Sequence, residues 1–362
     1  MLKYFFPFII FAHALIHLMG FAKAYHFGNI SQLTRDISKP LGLLWLFTCI
    51  LFITAIILFY SDNEKWWLAG AIAAVISQFL IFSVWKDAKY GTIVNVIALT
   101  IVFLGYSMQM FENKYKKDVS KNLLHANTIS TDLLTEYDFT QLPAPVQIYL
   151  RYADVLNKPK VKNVRIEFYG QMRSKGKEWF PFTSEQYNFF DEYTRLFFMK
   201  GKMFGTTIPG YHIYKNKYAS MDIRLLGLFP VVNITGDKLF RAETVTLFND
   251  MCLFAPAALI DRRITWENID SNSVKATLNN NGTIISAMLY FNKEGQLINF
   301  VSDDRIEVSD MKNYRFSTPV KDYKNIGGYN LGTYGEGIWH YPDGTFVYGQ
   351  FNVKNVQYNV TE

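Results

Sequence analysis

Four long stretches without one charged side chain fall within the first 110 residues: Tyr4–Ala22, Pro40–Tyr60, Trp66–Trp85 and Thr92–Met110. A helix crossing the hydrocarbon core of a bilayer needs about 20 apolar residues, because no water is present to satisfy backbone amides. Each stretch meets that length. Trp66, Trp67, Trp85 and Tyr60 stand at their ends, where amphipathic rings favour the membrane–water interface. The second and third stretches are joined by a short loop, which favours antiparallel neighbours and so a compact four-helix bundle. Residues 1–110 carry only eleven charges, seven basic and four acidic, all outside the four stretches.

With four spans, the N-terminus, the 61–65 loop and the C-terminal part share one side of the membrane. Six basic residues on that side, including Lys114, Lys116, Lys117 and Lys121, face five on the other. The positive-inside rule then puts the C-terminal part marginally on the cytoplasmic side. The first span has a second reading, since Lys3, the apolar run and Ala22-Lys23-Ala24 resemble a cleavable secretory signal. Inside that span, His13 and His17 lie four residues apart and share a helical face. They are the weak candidates for a metal or haem ligand, but no acidic residue or third histidine occurs in any span. The competing reading is a helix–helix hydrogen-bond network with Ser77, Gln78 or Asn95. No cofactor is expected.

Beyond residue 110 the chain holds 30 basic and 27 acidic residues, a balance that speaks against a nucleic-acid partner. Cys49 and Cys252 are the two cysteines, and the first lies within a span, so no disulfide between them is expected. Residues 111–140 read as a polar connector. Leu142-Pro143-Ala144-Pro145 then punctuates the chain, and 146–153 reads as a short amphipathic helix. From Val161 the apolar period becomes two, with Asn280-Asn281-Gly282 and Pro342-Asp343-Gly344 among the turn signals. Tyr211–Ile223 reads as one strand and Met311–Tyr323 as another. Asp237–Leu259 interrupts this meander with one or two helices. The expected organisation is thus a transmembrane bundle (1–110), a connector (111–140) and a soluble α+β domain (141–362). In the last, an antiparallel β-meander would form a curved half-barrel with the inserted helices on one face.

Three motifs carry a resemblance: Leu142-Pro143-Ala144-Pro145-Val146-Gln147-Ile148-Tyr149-Leu150-Arg151-Tyr152, Phe180-Pro181-Phe182-Thr183-Ser184-Glu185-Gln186-Tyr187 and Leu225-Leu226-Gly227-Leu228-Phe229-Pro230-Val231-Val232. Together they resemble a widespread bacterial family of unknown function over roughly residues 141–358. His13-Ala14-Leu15-Ile16-His17-Leu18-Met19-Gly20-Phe21 and Asp87-Ala88-Lys89-Tyr90-Gly91-Thr92 look like the membrane region of its bacteroidetes-type members. The four-span layout is similar to DoxX-like membrane proteins, and the order of strands and helices is similar to lipoprotein-carrier half-barrels. The resemblance implies a multi-pass protein of the bacterial cytoplasmic (inner) membrane and transfers no catalytic residue.

The chemistry-bearing motifs are sparse. Gly335–Gly349 resembles a single MORN-type repeat, better read as a terminal hairpin because repeat folds need several copies. Asp303, Asp304, Arg305 and Glu307 could form a metal or catalytic carboxylate cluster, but they lie near a turn, where charges are ordinarily solvated, and no histidine or third ligand sits at local metal spacing. Ser184-Glu185 and His212 stand isolated, and no nucleophile elbow, phosphate loop or dinucleotide fingerprint is present. The most apolar stretch of the C-terminal part, around residues 179–204, supplies Trp179, Phe182, Phe198 and Phe204 as candidate ligand-binding residues. Three functions follow: a membrane-tethered domain binding an apolar or lipidic ligand or a partner; a membrane-tethered enzyme with its site in the sheet's concave face; and a structural or assembly role of the bundle, as a homo-oligomer. The lipid bilayer is a partner in all three.

Overall fold

A computed structural model of the chain describes residues 2–125 and 132–361; of the expected connector, residues 126–131 lie outside the described residues. The chain divides into two compact units. The first comprises residues 1–111 with 226–228, and the second comprises residues 112–225 and 229–362.

In the first unit α1 (Leu2–Ala24), α2 (Lys39–Tyr60), α3 (Trp66–Ser83) and the short α4 (Trp85–Ala88) precede α5 (Gly91–His125). Four helices are long and apolar enough to cross a membrane. Both their faces are apolar: Phe8, Ile16, Ile57, Phe79, Phe82 and Ile93 are exposed, while Ile10, Phe52, Leu80 and Ile81 are buried. A helix apolar all round has no stable place in water. Small residues let the backbones approach. A Cβ on Gly20 would fall 2.2 Å from the Trp45 ring, and Ala73 and Ala74 are fully enclosed.

The second unit is built on a 13-stranded antiparallel sheet. Its strands in chain order are β1 (Asn163–Met172), β2 (Phe180–Phe189), β3 (Thr194–Met203), β4 (Thr206–Lys215), β5 (Tyr218–Leu225), β6 (Phe229–Thr235), β7 (Ile264–Asn268), β8 (Ser273–Asn280), β9 (Thr283–Phe291) and β10 (Leu297–Ser302). After a two-stranded excursion, β11 (Ile306–Glu307) with β12 (Lys312–Asn313), come β13 (Arg315–Ile326), β14 (Tyr329–Tyr341) and β15 (Gly344–Tyr358). The sheet order is β6-β5-β4-β3-β2-β1-β15-β14-β13-β10-β9-β8-β7, so the last long strand closes beside the first. Before the sheet comes α6 (Ala144–Tyr152), and between β6 and β7 lies α7 (Asp237–Phe254), followed by a short 3-10 turn (Pro256–Ile260).

The insertion expected at Asp237–Leu259 is thus α7. Asp237 complements its N-terminal dipole, and Pro256 stops it. α7 touches β4, β5 and β6 at one end of the sheet and β9 and β10 near the other. Strands about 4.8 Å apart would spread those contacts over roughly 50 Å if flat. A helix of this length spans only about 27 Å. The sheet therefore curls around α7, whose residues from Leu239 to Phe254 are almost all buried.

Local chemistry explains where the strands depart from expectation. The single strand expected over Tyr211–Ile223 is a hairpin, β4 and β5, turning on Asn216 and Lys217 with φ of 50° and 61°. That is the two-residue geometry that follows strand twist, here without the usual glycine. β6 was hidden by Pro230, a residue tolerated because β6 is an edge strand. The helices are not confined to one face of the sheet. α5 continues to His125, and its residues from Glu112 onward pack on the other face of β2–β4. There Tyr115 donates to Glu185 at 3.0 Å, Tyr211 to Asp118 at 3.0 Å and Lys215 to Asn122 at 2.6 Å. Tyr115, Asp118 and Asn122 follow the i, i+3, i+7 spacing of one helical face.

Candidate functional site

Between α7 and the concave face of the sheet lies a cavity of about 410 Å³. From α7 it is lined by Leu239, Ala242, Glu243, Thr246, Asn249, Asp250, Leu253 and Phe254. The sheet supplies Phe168, Phe197, Met199, Met221, Ile223, Phe316, Val320, Phe351 and Val353. The volume falls in the range of about 300–1,000 Å³ that holds small ligands in a mostly apolar lining.

One wall is charged. Glu243 and Asp250, seven residues apart on α7, share a face. Both meet Arg195, which β3 places on its inward side and which is 6% exposed. The guanidinium donates through Nε to Asp250 at 2.8 Å, through Nη1 to Glu243 at 3.0 Å and through Nη2 to Gln186 at 3.2 Å. Asp250 also accepts from Gln186 Nε2 at 2.8 Å and from Asn188 Nδ2 at 3.2 Å. His212 on β4 reaches the same cluster, its Nδ1 3.3 Å from Glu243 Oε1.

Burial alone would raise the pKa of Glu243. The Arg195 charge, the hydrogen bond and charge of His212, and the charge of Arg305 overcome it and hold the carboxyl at about 2. Burial likewise opposes the charge on Arg195, and its two carboxylates override it, raising the pKa. Glu243 is thus a fixed anion near neutrality: it can orient His212, but it holds no proton to give.

A second part of the wall is aromatic and cationic. Arg305 Cζ lies 3.9 Å from the Phe316 ring centroid, 5.2 Å from that of Trp339 and 5.8 Å from that of Tyr348. Arg173 Cζ lies 4.2 Å from the centroid of Trp179 and 5.1 Å from that of Phe346. Trp339 and Phe346 are direct partners across β14 and β15, so both guanidinium groups lie on one aromatic row.

The four residues singled out from sequence occupy different places. Phe182 is buried in the core against Phe351, with ring centroids 5.4 Å apart. Phe198 faces away from α7 and stacks on Tyr115. Its neighbours Phe197 and Met199 line the cavity instead, because successive strand residues point to opposite faces. Phe204 sits at a hairpin tip, 91% exposed. Trp179 does not line the cavity but stacks on Arg173, which does.

His13 and His17 enter a hydrogen-bonded network inside the bundle. His13 Nε2 lies 3.2 Å from Ser77 and 3.1 Å from Asn95; His17 Nε2 lies 2.9 Å from Ser77, and its Nδ1 lies 2.9 Å from the His13 carbonyl. Asn95 donates to Gln78, and Gln78 to Thr92, both at 3.1 Å.

The cluster near residue 305 is not simply solvated. Asp304 pairs with Arg241 and accepts from Ser286, Asp303 pairs with Arg315, and Arg305 and Glu307 line the cavity. Sequence reasoning missed Arg195, Glu243 and Asp250, and it set His212 aside as isolated. The readable signals were a lone arginine heading an apolar strand and two acids seven residues apart on a helix.

A family model described as a family of unknown function (DUF6544) matches residues 132–351, more than half of the chain. No curated protein matches it. Among solved structures, a LolA superfamily protein from Nitrosomonas europaea is similar with a TM-score of 0.34 at 10% identity, covering 59% of this chain and 92% of that one. A domain described as an outer membrane lipoprotein-sorting protein, from Vibrio parahaemolyticus, gives a TM-score of 0.36 at 7% identity, covering 59% and 91%.

Proposed function

We propose that this chain, which belongs to the family of unknown function DUF6544, is a membrane-anchored binding protein whose second unit holds an apolar or amphipathic ligand between α7 and the curled sheet. One observation carries the reading: a cavity of about 410 Å³ lined by Leu239, Leu253 and Phe254 from α7 and by aromatic, Met and Val side chains from the sheet. A core of ordinary packing leaves few voids larger than a water molecule, so a largely apolar space of this size with a charged patch suits an apolar or amphipathic occupant. The four apolar helices of the first unit supply the anchor and put the protein where such ligands are concentrated.

The test is mass spectrometry of organic extracts from the full-length protein purified in detergent, comparing the natural sequence with Thr246→Trp. Thr246 lines the cavity from α7, and an indole there takes up part of the space a ligand would need. The expected result is an apolar compound recovered with the natural protein and depleted in the variant. Thr246→Ala should retain it. Identical extracts from all three proteins would end the proposal.

A second reading, a membrane-tethered enzyme, is favoured by the Arg195–Glu243–His212 arrangement in the cavity wall. A carboxylate fixed as an anion beside an imidazole orients that imidazole for proton transfer. Chemical conversion of the bound compound by the natural protein and not by His212→Asn would establish this reading. Unaltered compound in both would exclude it.

A further inference from the structure

We infer that the aromatic end of the cavity binds the oxyanion head, a carboxylate or a phosphate ester, of an amphipathic ligand, with Arg305 and Arg173 as its donors. The inference deepens the ligand-binding reading above and rests on it.

The case starts from how each charge at the cavity is used. Arg195 is spent on Glu243 and Asp250, and Lys175 on Asp343 at 2.6 Å. Glu307, the third acid of the lining, accepts from the backbone N–H and the hydroxyl of Ser309. Arg305 and Arg173 remain. Among the described residues neither has a carboxylate within ion-pair distance. Arg305 makes only a long hydrogen bond from Nη1 to Tyr348 Oη at 3.4 Å, and Arg173 one from Nε to the Val347 carbonyl at 3.0 Å.

A guanidinium carries five N–H donors, all in its plane. Arg305 lies over the Phe316 ring, and apart from the long bond to Tyr348 its N–H groups have no side-chain partner among the described residues. A guanidinium edge matches a carboxylate or phosphate bidentately, and the aromatic support lowers the entropy lost on binding. Both cations are half-buried on one aromatic row without an ion-paired carboxylate, and an anion bound at their edges would gain charge-assisted hydrogen bonds. Beside them Val320, Phe351 and Val353 continue the apolar lining, where a chain attached to that anion would lie.

The experiment uses the full-length protein in detergent micelles and a palmitate analogue with a photoreactive group in its tail. Crosslinking is competed by palmitate, the matching cetyl alcohol, palmitoyl lysophosphatidate or inorganic phosphate. The expected result is that palmitate and lysophosphatidate compete roughly tenfold better than the alcohol. Arg305→Met should remove that advantage and leave competition by the alcohol unchanged, which also shows that the variant is folded. Arg305→Lys, which keeps the charge but loses the fork, should fall between. The relative strength of palmitate and lysophosphatidate separates the carboxylate from the phosphate source.

Equal competition by acid and alcohol, with no effect of Arg305→Met, would overturn the anionic head and leave the apolar cavity standing. Competition by inorganic phosphate as strong as that by lysophosphatidate would also overturn it, since the chain would then contribute nothing. Absence of competition by any long-chain compound would remove the ligand-binding reading itself.

Discussion

Each unit of the protein buries a polar cluster containing histidine, and the two clusters differ in kind. In the helical unit, His13, His17, Ser77, Gln78, Thr92 and Asn95 are all nominally neutral and satisfy one another. In the β unit, Arg195, Glu243 and Asp250 are charged and edge a cavity that could hold a ligand. A closed network among helices specifies packing, because an unsatisfied polar group in an apolar surrounding costs free energy. A charged cluster is costly to bury even when paired, so its place beside an open space points to function rather than stability. A buried histidine is therefore a weak marker of a site, and the space next to it is the stronger one.

Four substitutions would break or sharpen this contrast, all in the full-length protein in detergent. The largest effect is expected for Arg195→Ala, which leaves two buried carboxylates uncompensated. Unfolding of the β unit, followed by near-ultraviolet circular dichroism, should be destabilised by about 3–5 kcal/mol. A change below about 1 kcal/mol would mean that water compensates the cluster.

Next is acid sensitivity. The folded pKa of Glu243 is depressed from 4.5 to about 2. Its contribution to stability is therefore present above about pH 4.5 and is lost as the pH falls towards 2. Glu243→Gln should flatten that part of the stability–pH curve, and an unchanged acid limb would contradict the pairing.

Third, Ser77→Ala removes the shared partner of both histidines and should cost about 1 kcal/mol in the bundle, with no change in ligand recovery from the cavity. Loss of the ligand in this variant would break the separation drawn between the two clusters. The smallest effect belongs to Tyr115→Phe, which deletes only the hydrogen bond to Glu185. The unfolding free energy of the β unit is expected to fall by about 1 kcal/mol or less, read as a small drop in its thermal midpoint.

Much of the architecture was legible in the sequence because its signals are local. Uncharged runs of about 20 residues have few folds open to them, and Asn281-Gly282 made a turn wherever its flanking strands went. The insertion at Asp237–Leu259 was visible as a break in period. The site was harder to read for two reasons. Phe197 and Phe198 are alike in composition, and only the register of β3 decides which of them faces α7. Arg195, His212, Glu243 and Asp250 come from two strands and a helix, so no spacing along the chain announces their meeting. The solvated reading of Arg305 was reasonable for a charge beside a turn, and Arg305 is half-buried instead because β13, β14 and β15 bring Phe316, Trp339 and Tyr348 against it.

The most direct test of the cavity's role is the position at which a photoreactive palmitate analogue labels the full-length protein, mapped by peptide mass spectrometry. The account predicts label in α7 and in the strands that face it, lost in Thr246→Trp. Label confined to the apolar helices of the first unit, and unchanged by Thr246→Trp, would contradict it.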